Sequence, residues 1–299
     1  MVFERSSDVI NSNGAKFKSL LHPGRALPIL GTINAYSALL AEHAGAQAIY
    51  LSGAGVANAS YGLPDLGMTG LAEVLEDVRR ILAVSSLPLL VDIDTGWGHI
   101  FSIQRAIKLM ENAGVAAIHM EDQVAAKRCG HRPNKLVVPM QEMGDKLKSA
   151  VDARQDPNFV IIARTDAVEC EGVEKALERA VFYCACGADM IFAEALTTIE
   201  DYKYFVEHCK VPILANLTEY GKTPLFTRTE LAAVGVQLVL YPLSAFRAMS
   251  RAAAIVYQTI LAEDTQSSCL KLMQTREELY DILKYYTYEK TIDRVIDHE

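Results

Sequence analysis

The chain has 299 residues, of which 51% are apolar and 22% charged, and its 29 basic and 37 acidic side chains give a net charge of −8. This apolar fraction suffices for a large core and excludes a disordered chain. The acidic balance argues against nucleic acid as a partner. No run approaches the roughly 18 apolar residues of a membrane span, and the N-terminus lacks an apolar signal core. We therefore expect a cytoplasmic protein without a membrane partner.

Eight short apolar runs, each followed by a segment of helical periodicity, occur in regular order along the chain. They span residues 28–32, 48–53, 87–94, 116–122, 159–166, 190–194, 212–216 and 238–242. Strands that alternate with helices predict βαβ units and a parallel sheet. Nearly continuous apolar runs, such as LPLLVDID and FVIIARTD, are typical of strands that are buried on both faces.

The entrances to these strands alternate, which we interpret as a weak internal repeat. A proline precedes each odd-numbered strand, and a glycine that fits the left-handed end of a helix precedes each even-numbered one. Length alone permits two domains, but eight such units without a flexible linker favour a closed barrel over an open doubly wound sheet. We predict a (β/α)8 TIM-type barrel with additional N- and C-terminal helices, as one domain over residues 1–299. Its parts are an N-terminal segment (1–27), the barrel (28–243) and C-terminal helices (244–299).

Two segments after the last strand predict the C-terminal helices. Residues 244–264 are amphipathic, and Thr275 and Glu278 have the spacing of a capping box that opens a further helix. These helices pack either on their own barrel or on another subunit. Their apolar residues exceed what the outside of a barrel needs, which favours self-association; they include Phe246, Met249, Ile255 and Leu261.

Polar residues follow nearly every predicted strand, and Asp92 and Asp94 form the clearest pair. Residues two apart in a strand project to the same face, so we expect these two carboxylates to converge. Converging carboxylates repel unless a cation lies between them, and oxygen ligands select Mg²⁺ or Mn²⁺. Glu121 and Glu194 are further candidate ligands, directly or through water. The alternative is a solvated acidic turn.

A second candidate feature is the segment KRCGHR at residues 127–132. A cysteine surrounded by Lys, Arg and His is biased towards the thiolate, which makes Cys129 a candidate acid, base or nucleophile near neutral pH. The alternative is a solvated basic loop with an unreactive thiol.

The KRCGHR segment, with MEDQ before it and PNK after it, resembles the signature loop of the isocitrate lyase and phosphoenolpyruvate mutase superfamily, in its lyase branch. The resemblance extends from about Leu20 to the end of the chain and includes SGA at 52–54, RTD at 164–166 and NLTEYGKTP at 216–224. It implies a TIM barrel and a homotetramer in which C-terminal helices are partly exchanged between subunits.

The same resemblance implies an Mg²⁺-dependent carbon–carbon lyase that cleaves a small tricarboxylate in a retro-Claisen step. One product is succinate, and the other is pyruvate in the compact enzymes of propionate breakdown that this sequence resembles more. Isocitrate lyases, the alternative, release glyoxylate but carry large insertions and an NxSPS-type motif in place of NLT. A binding barrel without catalysis is the second alternative.

The resemblance also implies roles for individual residues. Asp92, Asp94 and Glu121 hold the metal ion, Tyr50 is the base, and Cys129 delivers a proton to the succinate carbon. We expect the cysteine loop to be open or disordered without substrate and to close over Mg²⁺ and the bound ligand. The implied substrate-binding residues are Ser52, Gly53, Ala54, Asp65, Lys127, Arg128, Gly130, His131, Arg164, Glu194, Asn216, Thr218, Arg247 and Arg276.

Overall fold

The computed structural model describes residues 12–296, so residues 1–11 of the expected N-terminal segment lie outside it. Eight parallel strands form a closed barrel in sequence order, and the last strand pairs with the first. The prediction of a (β/α)8 barrel with extra helices at both ends is confirmed. The strands are β1 (Leu27–Gly31), β2 (Ala48–Leu51), β3 (Leu89–Asp92), β4 (Ala117–Glu121), β5 (Val160–Thr165), β6 (Met190–Ala193), β7 (Ile213–Asn216) and β8 (Leu238–Tyr241).

The helices lie between and around these strands. They are α1 (Asn13–Ser19), α2 (Ala35–His43), α3 (Gly53–Gly55), α4 (Leu71–Leu82), α5 (Ile100–Ala113), α6 (Met140–Ala153), α7 (Ala167–Glu171), α8 (Val173–Ala185), α9 (Ile199–Cys209), α10 (Arg228–Ala233), α11 (Ser244–Glu263), α12 (Arg276–Leu283) and α13 (Tyr285–Ile296). A π-helical turn, Val56–Ser60, follows α3, and a 3₁₀ turn, Ser267–Leu272, precedes α12. Between residues 12 and 296, no helix combines the length and apolar character needed to cross a membrane.

The predicted local signals at strand and helix ends are largely confirmed. The four glycines before the even-numbered strands all take positive φ angles, for example 89° at Gly114, where α5 ends. The second and third strands end earlier than predicted: the second was expected to reach residue 53 but ends at Leu51, where the turn into α3 begins. The third was expected to run to residue 94 but ends at Asp92, because Asp94 has a φ angle of 49° and Gly96 N–H closes a tight turn onto the Ile93 carbonyl.

The C-terminal helices follow the prediction with one break. The capping box is present, since Thr275 Oγ1 accepts a hydrogen bond from Glu278 N–H and Glu278 accepts one from Thr275 N–H. The segment after it forms two helices rather than one, because Lys284 takes a left-handed φ angle of 54°. None of the residues of α11, α12 and α13 is buried in this chain.

Two groups of buried apolar side chains form the core. The larger group lies between the strands and the surrounding helices, and the smaller one fills the inside of the barrel. Phe17 of α1 is fully buried in the smaller group with residues that begin strands, such as Leu27 and Ala48. The α1 helix therefore closes the N-terminal end of the barrel, and the opposite end remains for a site.

Replacing Phe17 with Ala should lower the free energy of unfolding by about 3–5 kcal/mol, because a fully buried ring leaves a cavity among barrel residues. Urea denaturation followed by circular dichroism measures the change. Phe101→Ala is the matched control, since that ring is 67% exposed and its removal should change stability by less than about 0.5 kcal/mol. Equal effects of the two substitutions would show that α1 does not close the barrel.

Candidate active site

A cavity of about 80 Å³ lies at the C-terminal ends of the strands, where (β/α)8 enzymes have their active sites. Most of the predicted site residues meet there: Tyr50, Ser52, Ala54, Asp65, Asp92, Lys127, Cys129, Gly130, His131, Arg164, Glu194, Asn216, Thr218 and Arg247. Gly53, Asp94 and Glu121 lie directly behind this lining and contact it. The backbone N–H of Gly53, for example, donates to Asp92 Oδ2 at 3.1 Å.

The structure does not bring the other two predicted substrate-binding residues into the cavity of this chain. Arg128 is exposed and its guanidinium donates to the Pro133 carbonyl at 3.3 Å. Arg276 is exposed at the first position of α12, on the outside of the described barrel. Neither the position of Arg128 next to Cys129 nor the family resemblance determines whether the side chains of Arg128 and Arg276 face the cavity.

Asp92 and Asp94 are both buried and converge as predicted, but not for the predicted reason. Asp94 lies beyond the end of β3, and the left-handed turn at this residue, not strand alternation, returns its carboxylate towards Asp92. Asp92 Oδ1 accepts the backbone N–H of Asp94 at 2.9 Å. The alternative of a solvated acidic turn is excluded, because these side chains are only 5% and 6% exposed.

Lys127 lies among these carboxylates. Its ammonium group pairs with Asp94, is 3.0 Å from Asp65 Oδ1 and is 3.9 Å from Glu121 Oε1. Burial, followed by the charge of Asp92, raises the pKa of Asp94 to about 6. Burial would raise the pKa of Asp92 as well, but the charges of His119, Lys127 and Arg164 lower it to about 2. The two adjacent carboxyl groups therefore have very different pKa values, because two negative charges side by side in a buried site repel each other.

This cluster fits a divalent cation. Within the described residues, no hydrogen-bond donor reaches either oxygen of the buried Glu121, and burial raises the pKa of Glu121 well above its usual value. A Cβ atom on Gly53 would lie 3.0 Å from Asp94 Oδ1 and 3.2 Å from Asp92 Oδ2, so the absence of a side chain at Gly53 lets the backbone approach both carboxylates closely. In residues 12–296, no three His, Cys, Asp or Glu residues are placed to ligate a metal directly.

Tyr50 is held by a histidine that the sequence analysis missed. Its hydroxyl lies 2.9 Å from His119 Nε2 and 3.4 Å from Asp92 Oδ2, and the His119 ring packs edge-on against Phe192. Burial lowers the pKa of His119 to about 4, so the imidazole is neutral at pH 7. The sequence did carry a signal, since His119 lies two residues before Glu121 on the same face of β4.

Arg164 connects three buried carboxylates at the centre of the site. Its guanidinium is 2.9 Å from Asp166, 3.4 Å from Glu121 and 3.0 Å from Glu194. The Glu194 carboxylate also accepts the Asn216 amide at 3.3 Å. These contacts fix the Arg164 head group at the cavity wall, where it can pair with an anionic ligand.

The cysteine loop lies over the mouth of the cavity. A Cβ atom on Gly130 would collide with the side chains of Arg164 and Glu194, so only glycine lets the loop backbone approach them this closely. His131 Nε2 lies 3.3 Å from Glu194 Oε1, and His131 Nδ1 accepts the backbone N–H of Lys222 at 3.1 Å. The loop is therefore in a closed position, and its opening remains a prediction.

The expectation that Cys129 is a thiolate is wrong. Burial raises the pKa of the Cys129 thiol above that of an ordinary cysteine, and the charges of Asp65 and Glu194 add to this, against the backbone of His131 and the charge of Arg164, which lower it. The basic neighbours in the sequence do not act on the sulfur, because Lys127 is paired with carboxylates and Arg128 points to solvent. A neutral thiol at pH 7 can donate a proton.

Apolar residues complete the cavity, and the sequence analysis did not single them out. Phe192 of β6 lies under the Arg164 guanidinium at 4.9 Å, and Leu240, Pro242 and Leu243 line the wall at the end of β8. These residues look like ordinary core in the sequence, because only the barrel geometry places the last residues of β8 beside the site. They add apolar surface to a cavity that is otherwise lined by polar and charged groups.

Comparison with known proteins agrees with this architecture. Residues 17–261 match the family model for phosphoenolpyruvate phosphomutase, so the chain belongs to this family of (β/α)8 enzymes. The solved structure of 2,3-dimethylmalate lyase superimposes with a TM-score of 0.87 at 28% identity, covering 95% of each chain. The phosphonopyruvate hydrolase complex with oxalate and Mg²⁺ has a TM-score of 0.81 at 28% identity, covering 95% of this chain and 98% of that one.

A relative with higher sequence identity shows to which enzymes of the family the chain belongs. The 2-methylisocitrate lyase of Shewanella oneidensis is 57% identical over 288 residues, which cover 96% of this chain and 99% of that protein. Within the family, the chain therefore belongs with the 2-methylisocitrate lyases.

The raised pKa of Cys129 predicts the pH dependence of its alkylation. Since only the thiolate reacts, the rate with iodoacetamide should rise about tenfold per pH unit from pH 7 to pH 9 without reaching a plateau. Mass spectrometry of the peptide that contains Cys129 separates it from the other cysteines. A plateau that begins near pH 7 would mean that the thiol is ionised in the folded protein.

Proposed function

We propose that this protein cleaves 2-methylisocitrate to pyruvate and succinate, as a carbon–carbon lyase of propionate breakdown through the methylcitrate cycle. The observation that carries the proposal is its 57% identity to a 2-methylisocitrate lyase over nearly the whole of both chains, together with Cys129 and Arg164 at one closed cavity. The alternative of isocitrate lyase activity is not supported by the relatives.

Cleavage breaks the bond between the hydroxyl-bearing carbon and its neighbour. The hydroxyl loses its proton and becomes the pyruvate carbonyl, and the electron pair of the broken bond passes to the succinate carbon. That carbon needs a proton, and Cys129 is the proposed donor because its thiol is protonated at neutral pH and lines the cavity.

The substrate carries three carboxylates, and the cavity offers matching donors. Arg164 supplies a fixed guanidinium, and Asn216, Thr218 and His131 line the same wall. Arg247 lies at the rim, where its Nε atom is 3.6 Å from Glu219 Oε2, so it can reach a ligand by leaving this partner. These groups provide the positive charge that a tricarboxylate needs in an acidic protein.

Tyr50 is the proposed acceptor of the hydroxyl proton, and its environment sets a condition. Burial and the Asp92 charge raise the pKa of Tyr50 well above its usual value, whereas Arg164 and Lys127 lower it. Tyr50 therefore needs further positive charge beside Asp92 before it can act as a base. Until then, its hydrogen bond with His119 orients the phenol towards the cavity.

We propose that the cation is Mg²⁺, with Mn²⁺ as a substitute, held by Asp92, Asp94 and Glu121 mostly through water. The oxygen ligands and the buried oxygens of Glu121, which accept no hydrogen bond from the described residues, support this choice, as does the Mg²⁺ in the related phosphonopyruvate hydrolase. Such an ion supplies a Lewis acid that lowers the pKa of the substrate hydroxyl.

We also propose a homotetramer in which the C-terminal helices of the single 1–299 domain are partly exchanged between subunits. The helices α11, α12 and α13 bury none of their residues in this chain. Large apolar side chains remain exposed on them, such as Leu261 at 85% and Tyr288 at 69%. A second copy of the chain would cover this surface.

An assay of both substrates tests the proposed reaction. With Mg²⁺ present, we expect pyruvate from 2-methylisocitrate and at most slow release of glyoxylate from isocitrate. Cys129→Ser should lower kcat by about 10²–10⁴-fold, because the proton donor is lost. Cys170→Ser is the control, since Cys170 is exposed and outside the cavity. Unchanged turnover in Cys129→Ser would contradict the mechanism and leave a barrel whose cysteine loop has no part in the chemistry.

Removal of divalent metal tests the cation. Treatment with EDTA followed by gel filtration should abolish pyruvate formation, and MgCl₂ should restore it, because the carboxylate cluster alone cannot supply the missing positive charge. KCl at the same ionic strength is the control and should restore nothing. Full turnover after exhaustive chelation would show that the reaction does not use a divalent cation.

A further inference from the structure

Asp122 is a buried carboxylate that the proposed reaction does not use. It lies directly after β4, outside the lining of the cavity, and contacts all three residues of the RTD segment on the neighbouring strand β5. Its backbone N–H donates to the Arg164 carbonyl at 3.2 Å. Its carboxylate accepts the Thr165 hydroxyl at Oδ2, at 2.8 Å, and the Asp166 N–H at Oδ1, at 2.9 Å. One residue of β4 thus holds the whole end of β5.

The bond to Asp166 takes the place of a strand contact. The strand β5 ends at Thr165, and Asp166 has φ and ψ angles of −100° and 8°, which are not those of a strand. Its backbone N–H therefore leaves the pattern of the sheet and finds the Asp122 carboxylate as its partner. Since a buried N–H group without a partner is costly, this bond fixes the backbone of Asp166.

Asp166 in turn fixes the head group of Arg164. Its carboxylate accepts Arg164 Nε at 2.9 Å and Nη2 at 3.2 Å. An arginine side chain has many rotamers, and a contact at two nitrogen atoms of its planar guanidinium selects one direction among them. The direction in which Arg164 faces the cavity therefore depends on where Asp122 holds Asp166.

The Asp122 carboxylate is itself fixed by two buried side chains of α8. The Tyr183 hydroxyl donates to Asp122 Oδ2 at 2.8 Å, and Arg179 Nη1 lies 3.6 Å from the same oxygen. Arg179 is held in place by Glu171, to which it donates two hydrogen bonds of 2.7 Å. These residues lie outside the cavity lining, so the support of Asp122 does not involve groups that bind the ligand.

We propose that Asp122 is a positioning residue that sets the direction of the Arg164 guanidinium through Asp166, and with it the strength of carboxylate binding in the cavity. The inference rests on the proposed function only for the choice of ligand. A purely structural role of Asp122 predicts lower stability with unchanged ligand binding. A positioning role predicts weaker binding, because a displaced guanidinium no longer meets the carboxylate of the ligand.

Ligand binding by Asp122→Ala tests this role. Calorimetric titration with pyruvate and with succinate, each in the presence of MgCl₂, should show a rise in Kd of about tenfold or more for at least one of them, as expected when a charged hydrogen bond is lost. In the cleavage assay, KM should rise by a similar factor and kcat should change by less than about threefold, because Arg164 binds the substrate before and during cleavage.

Asp122→Asn is the conservative variant. Its Oδ1 atom can still accept the Asp166 N–H, so it should keep each Kd within about threefold of the wild-type value. If Asp122→Ala does not fold, Tyr183→Phe replaces it in the binding and crystallographic tests. This substitution removes one donor to the Asp122 carboxylate and should raise the affected Kd by about threefold.

Asp77→Ala is the matched control. The Asp77 carboxylate is also buried and accepts the Ser60 hydroxyl at 2.6 Å and Arg80 Nη1 at 3.2 Å, but it belongs to α4 and lies outside the cavity lining. Its loss should lower the midpoint of urea unfolding. Both Kd values should nevertheless stay within about twofold of the wild-type values.

A crystal structure of Asp122→Ala without ligand measures the displacement directly. The Arg164 head group should move by about 1 Å or more relative to Glu194, a shift large enough to impair the positioning of a ligand. An unmoved Arg164 overturns the proposal, as do unchanged Kd values for both ligands in Asp122→Ala. Equal losses of binding in Asp77→Ala or in Asp122→Asn overturn it as well. Wild-type protein that binds neither ligand and cleaves no 2-methylisocitrate would contradict the proposed function, and the crystal structures would still decide the role of Asp122.

Discussion

The pairing of buried charges at one end of the barrel is the constraint on which the site depends. Arg164 is only 7% exposed and contacts Glu121, Asp166 and Glu194, which come from three neighbouring strands or their ends. Burial of these carboxylates without a cation would cost several kcal/mol for each ion. Arg164 therefore holds the strand ends together while its guanidinium remains at the cavity wall.

Two lysines extend the same principle to the cysteine loop. Lys127 begins the loop and pairs with Asp94 after β3 and with Asp65 before α4, and Lys135 ends it and pairs with Asp166 after β5. A loop that is fastened by buried charges at both ends has a defined closed position. This closed position places Cys129 beside the cavity that Arg164, Asn216 and Thr218 also line.

Burial reverses the prediction about the protonation of Cys129 that its sequence neighbours suggest. In the sequence, Cys129 is flanked by cations, which predicts a thiolate. In the fold those cations are already neutralised by carboxylates or directed to solvent, and desolvation then decides the pKa. The positive charges of Arg164 and Arg247 meet at this cavity, although the chain as a whole is acidic.

The sequence by itself determined the eight strands, their order, the glycine helix ends and most cavity residues, because these follow from local periodicity and from the rule that strand ends meet at one face. It also carried His119 and Lys135 without revealing their importance. Only the tertiary structure decided that Asp94 turns back outside β3, that Arg128 and Arg276 lie away from the cavity, and that Lys135 reaches Gly130. A single backbone angle sets the position of Asp94, and the way their segments fold sets the positions of the arginines and Lys135, which no spacing of residue types encodes.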